Sequence, residues 1–231
     1  MMQSHGKEEH QYKQTAKVIS EWGSVDVLYF ADSFGNMDHL HITFICKMLL
    51  SEWQGPLGIH THNNKNLALA NSIAAKAAGV TWFDSTVMGM GRGAGNVASE
   101  SLLMEFEHFQ IHSGKAKLLI PCLEKFNELY EKYHWGPNHL YHYAANNDIH
   151  PTFVQSLLND PRFYTDQIFP TLETLAKQPS TSFNSNMLKK ALYPVDTGKS
   201  GEGDWDATGW LENRDVLLVG AGPSVAKHQT A

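Results

Sequence analysis

The sequence predicts an α/β fold of parallel strands joined by crossover helices, and three observations predict it. Val25 to Ala31 is a nearly continuous apolar run, which suits a strand buried on both faces. A short apolar run ending in His60-Thr61-His62 is followed by an Ala-rich segment, Leu67 to Ala78, and then by a second short run, Val80 to Asp84. Strand, helix and strand within about thirty residues form a βαβ unit, and its strands are parallel. The polar clusters Asp32-Ser33, His60 to Asn64 and Asp84 onward then all fall at the carboxyl ends of strands, where parallel α/β proteins build sites.

Each element has its own signal. Residues 8 to 22 read as a helix with Tyr12, Ala16, Val18 and Ile19 as its apolar positions. Asp38 to Trp53 reads as the next, with Leu40, Phe44, Ile45, Met48 and Leu49 as the buried stripe. In Leu67 to Ala78, Ala70, Ala74 and Ala77 stand at helical spacing, and Gly79 is the stop. After Asn96, Ala98 to Phe109 is a helix with Leu102, Leu103 and Phe106 inward. Leu118 to Ile120 reads as a short last strand, and Pro121 opens a helix to about Tyr133. Trp135-Gly136-Pro137 breaks the pattern. Short helices are expected at Leu140 to Asn146, Ile149 to Asn159 and Phe169 to Lys177. Residues 197 to 203 have linker composition. Asp215 to Ser224 reads as a strand entering a glycine turn, and a lone Gly-x-Gly supports no cofactor.

Composition sets the bounds. The chain has 231 residues, 42% of them hydrophobic, enough for one medium domain or one plus a small appendage. A net charge of −6 argues against a general nucleic-acid binder. No apolar run of about eighteen residues occurs, so no transmembrane helix and no membrane partner is expected. Cys46 and Cys122, far apart in sequence, suit reduced buried thiols in a cytoplasmic protein.

The chemistry concentrates between Pro56 and Asn96. In a strand with period two, His60 and His62 point the same way, which places two imidazoles where they can share a divalent metal; the plain alternative is an exposed polar strand end. Asp32 is either a carboxylate that orients a ligand histidine or a capping and turn residue. Glycines 89, 91, 93 and 95 allow close backbone approach to a ligand or form a tight strand-to-helix turn. Arg92, among them, can meet a substrate carboxylate.

His60-Thr61-His62-Asn63-Asn64, Ala70-Asn71-Ser72 and Gly91-Arg92-Gly93-Ala94-Gly95-Asn96 occur in that order. Together they resemble the second half of the metal-dependent pyruvate-handling TIM barrels: the aldolase, hydroxymethylglutaryl-CoA lyase and isopropylmalate synthase superfamily. The nearest likeness is to the 4-hydroxy-2-oxovalerate aldolases. Residues 31 to 35, Ala-Asp-Ser-Phe-Gly, match that family's Ala-Asp-Ser-Gly-Gly, with Phe34 in place of a glycine. The resemblance is specific from about residue 25 to 106.

It implies the C-terminal half of a (β/α)8 barrel followed by a small helical domain. Residues 1–133 would hold strands five to eight, residues 134–196 the helical domain, and residues 197–231 a linker and the start of a further domain. It also implies cleavage of a 4-hydroxy-2-oxo acid to pyruvate and an aldehyde, aided by a divalent ion, Mn2+ first and Mg2+, Co2+ or Zn2+ as alternatives. His60 and His62 become the ligands. Asn96 matches an asparagine that ligates metal in the lyase branch or shapes the loop in the aldolases, and Ser33 matches the position that helps hold pyruvate. The family's first strand carries an Arg-Asp pair that supplies the carboxylate ligand and steadies the enolate. No such pair stands near the start, so that strand and its catalytic base are expected outside this chain. The family further implies a partner aldehyde dehydrogenase, and self-association that completes a barrel from two halves is an open alternative that would count against a non-catalytic module. An acyl-CoA condensing enzyme of the same superfamily and a non-catalytic module derived from it are the competing readings.

Overall fold

The computed structural model describes residues 1–2, 4–106, 118–193, 208–209 and 212–213. The chain divides into two units, Met1–Pro194 and Val195–Ala231, and the elements that follow all belong to the first. Residues 107–117, the 197–203 stretch and the Asp215 to Ser224 segment lie outside the described residues.

Helix α1 (Glu9–Glu21) leads to strand β1 (Leu28–Asp32), α2 (His39–Leu50), β2 (Leu57–Thr61), α3 (Ala68–Ala77) and β3 (Trp82–Asp84). The strands form one parallel sheet in the order β1-β2-β3. Parallel pairing follows from the crossovers, because α2 and α3 each carry the chain back to the starting edge of the sheet. The register matters for the site: Asp32 lies opposite Thr61, and His60 lies between Ala31 and Asp84. On the other edge of β1, the Ala31 N–H donates to the Met1 carbonyl at 3.0 Å and the Ser4 hydroxyl to the Ala31 carbonyl at 2.6 Å. The α/β barrel-half architecture expected from the sequence is therefore present in its parallel strands and crossover helices.

The α2 stripe differs from expectation. Leu40 is 67% exposed and Phe44 40%, while Ile42, Ile45, Cys46 and Leu49 face the sheet. Eight of the twelve residues of this helix are apolar, so two overlapping stripes satisfy the helical period. Packing on β1 and β2 selects the second. In α3 the buried positions are Ala68, Asn71, Ser72 and Ala75, again one residue round from the expected alanines. The principal core gathers Tyr12, Phe30, Ile42, Ile45, Leu49, Leu57 and Ile59. Each such side chain contributes about 1.5–3 kcal/mol on full burial.

Beyond β3 a short 3-10 turn (Val87–Gly89) and a glycine loop lead to α4 (Ser99–Glu105). The fourth strand expected at Leu118–Ile120 is not one. Leu118 and Leu119 form a turn, and Ile120 begins α5 (Ile120–Tyr133). Pro121 decides this, since its fixed φ and missing N–H fit a helix's first turn and cannot extend a ladder. Four further helices follow: α6 (His139–Asn146), α7 (Pro151–Leu158), α8 (Thr165–Ala176) and α9 (Ser185–Leu192). α8 starts before the expected Phe169, its first turn closed by the Tyr164 N–H on Gln167 Oε1 at 3.4 Å. α9 had no expectation. These helices share a core built on Leu140, Ile149, Phe153, Leu157 and Leu172, which also takes in Ala94 of the glycine loop. No helix among the described residues is long and apolar enough to cross a membrane.

Candidate metal and oxo-acid site

The carboxyl ends of β1, β2 and β3 bring Asp32, His60, His62 and Asp84 to one rim. His60 and His62 lie edge to face, ring centroids 4.7 Å apart. His62 Nδ1 sits 2.7 Å from the main-chain carbonyl of Asp32. A carbonyl only accepts, so Nδ1 carries the proton and Nε2 is left as the lone-pair donor. Burial is the first cause that holds the His62 pKa below its usual value; the His60 and Arg92 charges add to it, and the hydrogen bond to Asp32 opposes it. His62 is thus neutral at neutral pH, the form that binds a metal ion. His60 Nδ1 lies 3.2 Å from Asp84 Oδ2, which orients that ring in the same sense.

Asp32 resolves into two roles. Its main chain holds His62, while its carboxylate closes the following turn by accepting the Asn36 N–H at 3.1 Å. Burial, the leading cause, pushes this carboxyl up to about 7, against the lowering effect of the turn N–H groups and Lys65. Oδ2 has no hydrogen-bond partner among the described residues. Ser33 follows directly and is half-buried.

Asn96 is held beside His62 by an isolated antiparallel bridge, and its carboxamide donates to the Met90 carbonyl at 3.2 Å within its own loop. The glycine loop around it is crowded by backbone. Gly95 has φ +76°, and a Cβ there would stand 2.2 Å from the Gly89 carbonyl oxygen. Only glycine fits such an approach. Arg92 is exposed on this loop, and its positive charge acts against protonation of His62 and His150, secondary to their burial.

The structure joins further residues to this rim. Asp84 could have been found as the polar terminus of a strand neighbouring His60. Trp135 carries no local signal, and the sequence offers Tyr141 only as a candidate tyrosine of the helical part, with no motif to assign it a role. Trp135 Nε1 donates to the Met88 carbonyl at 2.9 Å, and the Tyr141 ring lies against Gly93. Burial pushes the Tyr141 phenol up to about 12. Phe34, where the resembling family has glycine, packs edge-on to His5 and His150 with centroids 4.6 and 5.9 Å away. A cleft of about 810 Å³ opens on the helical side of the loop, bounded by Arg92, Trp135, Tyr141 and the end of α5.

Toward a divalent ion, the two imidazoles fit: both are oriented through Nδ1, and His62 is neutral. No group of three or more His, Cys, Asp or Glu side chains able to hold a metal occurs among the described residues.

A protein-family model described as HMGL-like matches residues 1–121. The chain is 39% identical over 103 residues to the 4-hydroxy-2-oxovalerate aldolase of Pelotomaculum thermopropionicum, covering 45% of this chain and 30% of that protein. Its match to the enzyme of that name from Thermus thermophilus is 35% over 117 residues, covering 49% and 33%. The aligned stretch thus spans about a third of the length of these relatives. Among solved structures, the N-terminal domain of a Bacteroides vulgatus protein described as an aldolase aligns with TM-score 0.57 and 31% identity, over 66% of this chain and 50% of that one. The carboxyl transferase domain of Rhizobium etli pyruvate carboxylase aligns with TM-score 0.63 over 81% of this chain and 34% of that one; at 15% identity it shows a shared fold.

Proposed function

The chain belongs to the HMGL-like family, and from that premise we propose that it carries part of the site of an aldolase that cleaves a 4-hydroxy-2-oxo acid to pyruvate and an aldehyde. The observation that carries this reading is the histidine pair, each ring oriented through Nδ1, by the Asp32 carbonyl and by Asp84, with both Nε2 atoms available. His60 and His62 would hold a divalent ion, Mn2+ first. When bound, that ion supplies Lewis-acid stabilisation of charge on the oxo oxygen of pyruvate.

In the reaction the C3–C4 bond breaks and its electron pair passes into the pyruvate enolate. The C4 hydroxyl loses its proton to a base and becomes the aldehyde carbonyl, and the enolate takes a proton at C3. This chain's residues orient and bind. The Asp32 carbonyl keeps His62 in one tautomer, and Asp84 does the same for His60. Ser33, by its match to the aldolase position, would help hold pyruvate. Asn96 and the glycine loop border the rim, and Tyr141 lies against Gly93 on the loop's helical side. A further carboxylate ligand and the base lie outside the described residues in this reading.

The test is exchange of the pyruvate methyl protons in D2O, followed by NMR, with Mn2+ and then with EDTA. Exchange that depends on the metal and falls in His60→Ala and His62→Ala supports the reading. Exchange that is indifferent to both histidines overturns it.

A further inference from the structure

The cleft on the helical side of the glycine loop is not explained by a short aldehyde. At about 810 Å³ it is far larger than a two-carbon product needs. Its walls have a consistent chemistry. Tyr133, Trp135 and Tyr141 give it aromatic sides, while Asn138 and Gln155 supply amides. No carboxylate lines it, and Arg92 reaches it with no ion-pair partner among the described residues. An unpaired guanidinium facing an acid-free, partly apolar cleft is a receptor for an anion attached to an organic body. Gly91, which lines the cleft, lies against the Asn96 carboxamide, and Asn96 is bridged to His62, so the cleft and the histidine rim share the glycine loop as a common wall.

Resting on the aldolase reading above, we propose that the cleft takes the aldehyde half of the substrate and that this half carries its own anionic group, a carboxylate or phosphate, bound by Arg92. The substrate class is then a doubly anionic 4-hydroxy-2-oxo acid. One acid group belongs to the pyruvate end at the histidines, and the other is held across the glycine loop. Arg92 would be the specificity-determining residue, and the aromatic walls would pack the chain between the two charges.

The probes are two five-carbon 2-oxo acids that cannot be cleaved, 2-oxoglutarate with a distal carboxylate and 2-oxopentanoate without one, and pyruvate as the reference for the oxo-acid end. Binding is measured by calorimetry on the full chain with Mn2+, for wild type, Arg92→Gln and Arg162→Gln. The last removes an equal charge elsewhere, from an exposed pair with Asp160. The expected result is that 2-oxoglutarate binds about tenfold tighter than 2-oxopentanoate, a preference lost in Arg92→Gln and kept in Arg162→Gln. A third arm with glyceraldehyde 3-phosphate against glyceraldehyde, as competitors of 2-oxoglutarate, separates a phosphate from a carboxylate. Pyruvate binding with equal affinity for the two five-carbon acids, or a preference that survives in Arg92→Gln, overturns the cleft inference and leaves the aldolase reading standing. A distal-anion preference without pyruvate binding supports the anion receptor and removes the aldolase reading. Absence of binding by all three 2-oxo acids overturns both.

Discussion

Replacing Gly95 by alanine tests whether crowded backbone is what shapes the loop beside the histidines. Gly95 adopts φ +76°, and the new Cβ would stand 2.2 Å from the Gly89 carbonyl oxygen. The left-handed conformation alone costs a residue with a Cβ roughly 1–2 kcal/mol. The clash adds to this because the obstacle is backbone. The Gly89 carbonyl accepts the Asn96 N–H at 3.0 Å, and the Gly95 carbonyl accepts the Asn63 N–H at 3.0 Å. Moving either strand of the loop breaks one of these bonds, at a net cost of about 1 kcal/mol each. The expected loss is about 2–3 kcal/mol in all. Gly6 supplies the control, with φ +69° and nothing within 4 Å of an added Cβ. Gly6→Ala should therefore cost only the conformational part, about 1–2 kcal/mol. Urea unfolding of both variants, compared at the wild-type slope, measures the difference. Mn2+ affinity should fall with Gly95→Ala and not with Gly6→Ala, because Asn63 adjoins His62. If the two variants are equally destabilised, crowding at Gly89 is not what holds the loop.

Other outcomes follow from the same geometry. Asp84→Asn should weaken Mn2+ binding roughly tenfold by releasing His60, while Asp160→Asn should leave it unchanged; electron paramagnetic titration distinguishes them, and equal affinities would remove Asp84 from the site. Burial pushes the Cys46 thiol up to about 12, so at pH 8 only about one part in ten thousand is thiolate. Iodoacetamide should accordingly modify the half-buried Cys122 first, and rapid labelling of Cys46 in the folded protein would contradict its burial. Phe153, fully buried in the helical core, should cost about 3–5 kcal/mol as alanine, a loss visible in the unfolding midpoint. Asp38→Ala removes the acceptor of the Leu40 and His41 N–H groups at the start of α2 and should cost about 1 kcal/mol without altering metal affinity.

The sequence by itself determined what depends on short-range order. Period-two alternation put His60, in β2, and His62, just past its end, on one side, and the run from Val25 to Ala31 marked a strand buried on both sides. Strand, helix and strand in succession required parallel pairing, and parallel pairing put Asp32, His60 and Asp84 at one end. Gly79 and Asp38 marked helix termini through local chemistry. What it left open were choices between equivalents and meetings between distant residues. Ile42 and Cys46 rather than Leu40 and Phe44 face the sheet because the apolar residues of α2 form two overlapping stripes, and only packing chooses between them. Leu118 to Ile120 is apolar enough for a strand, and three residues before a proline carry no period to oppose it. The Asp84 carboxylate meets His60 through sheet register, and Trp135 and Tyr141 meet the glycine loop across nearly fifty residues of chain. Such contacts are decided by which surfaces bury each other in the folded chain, and no local pattern encodes them.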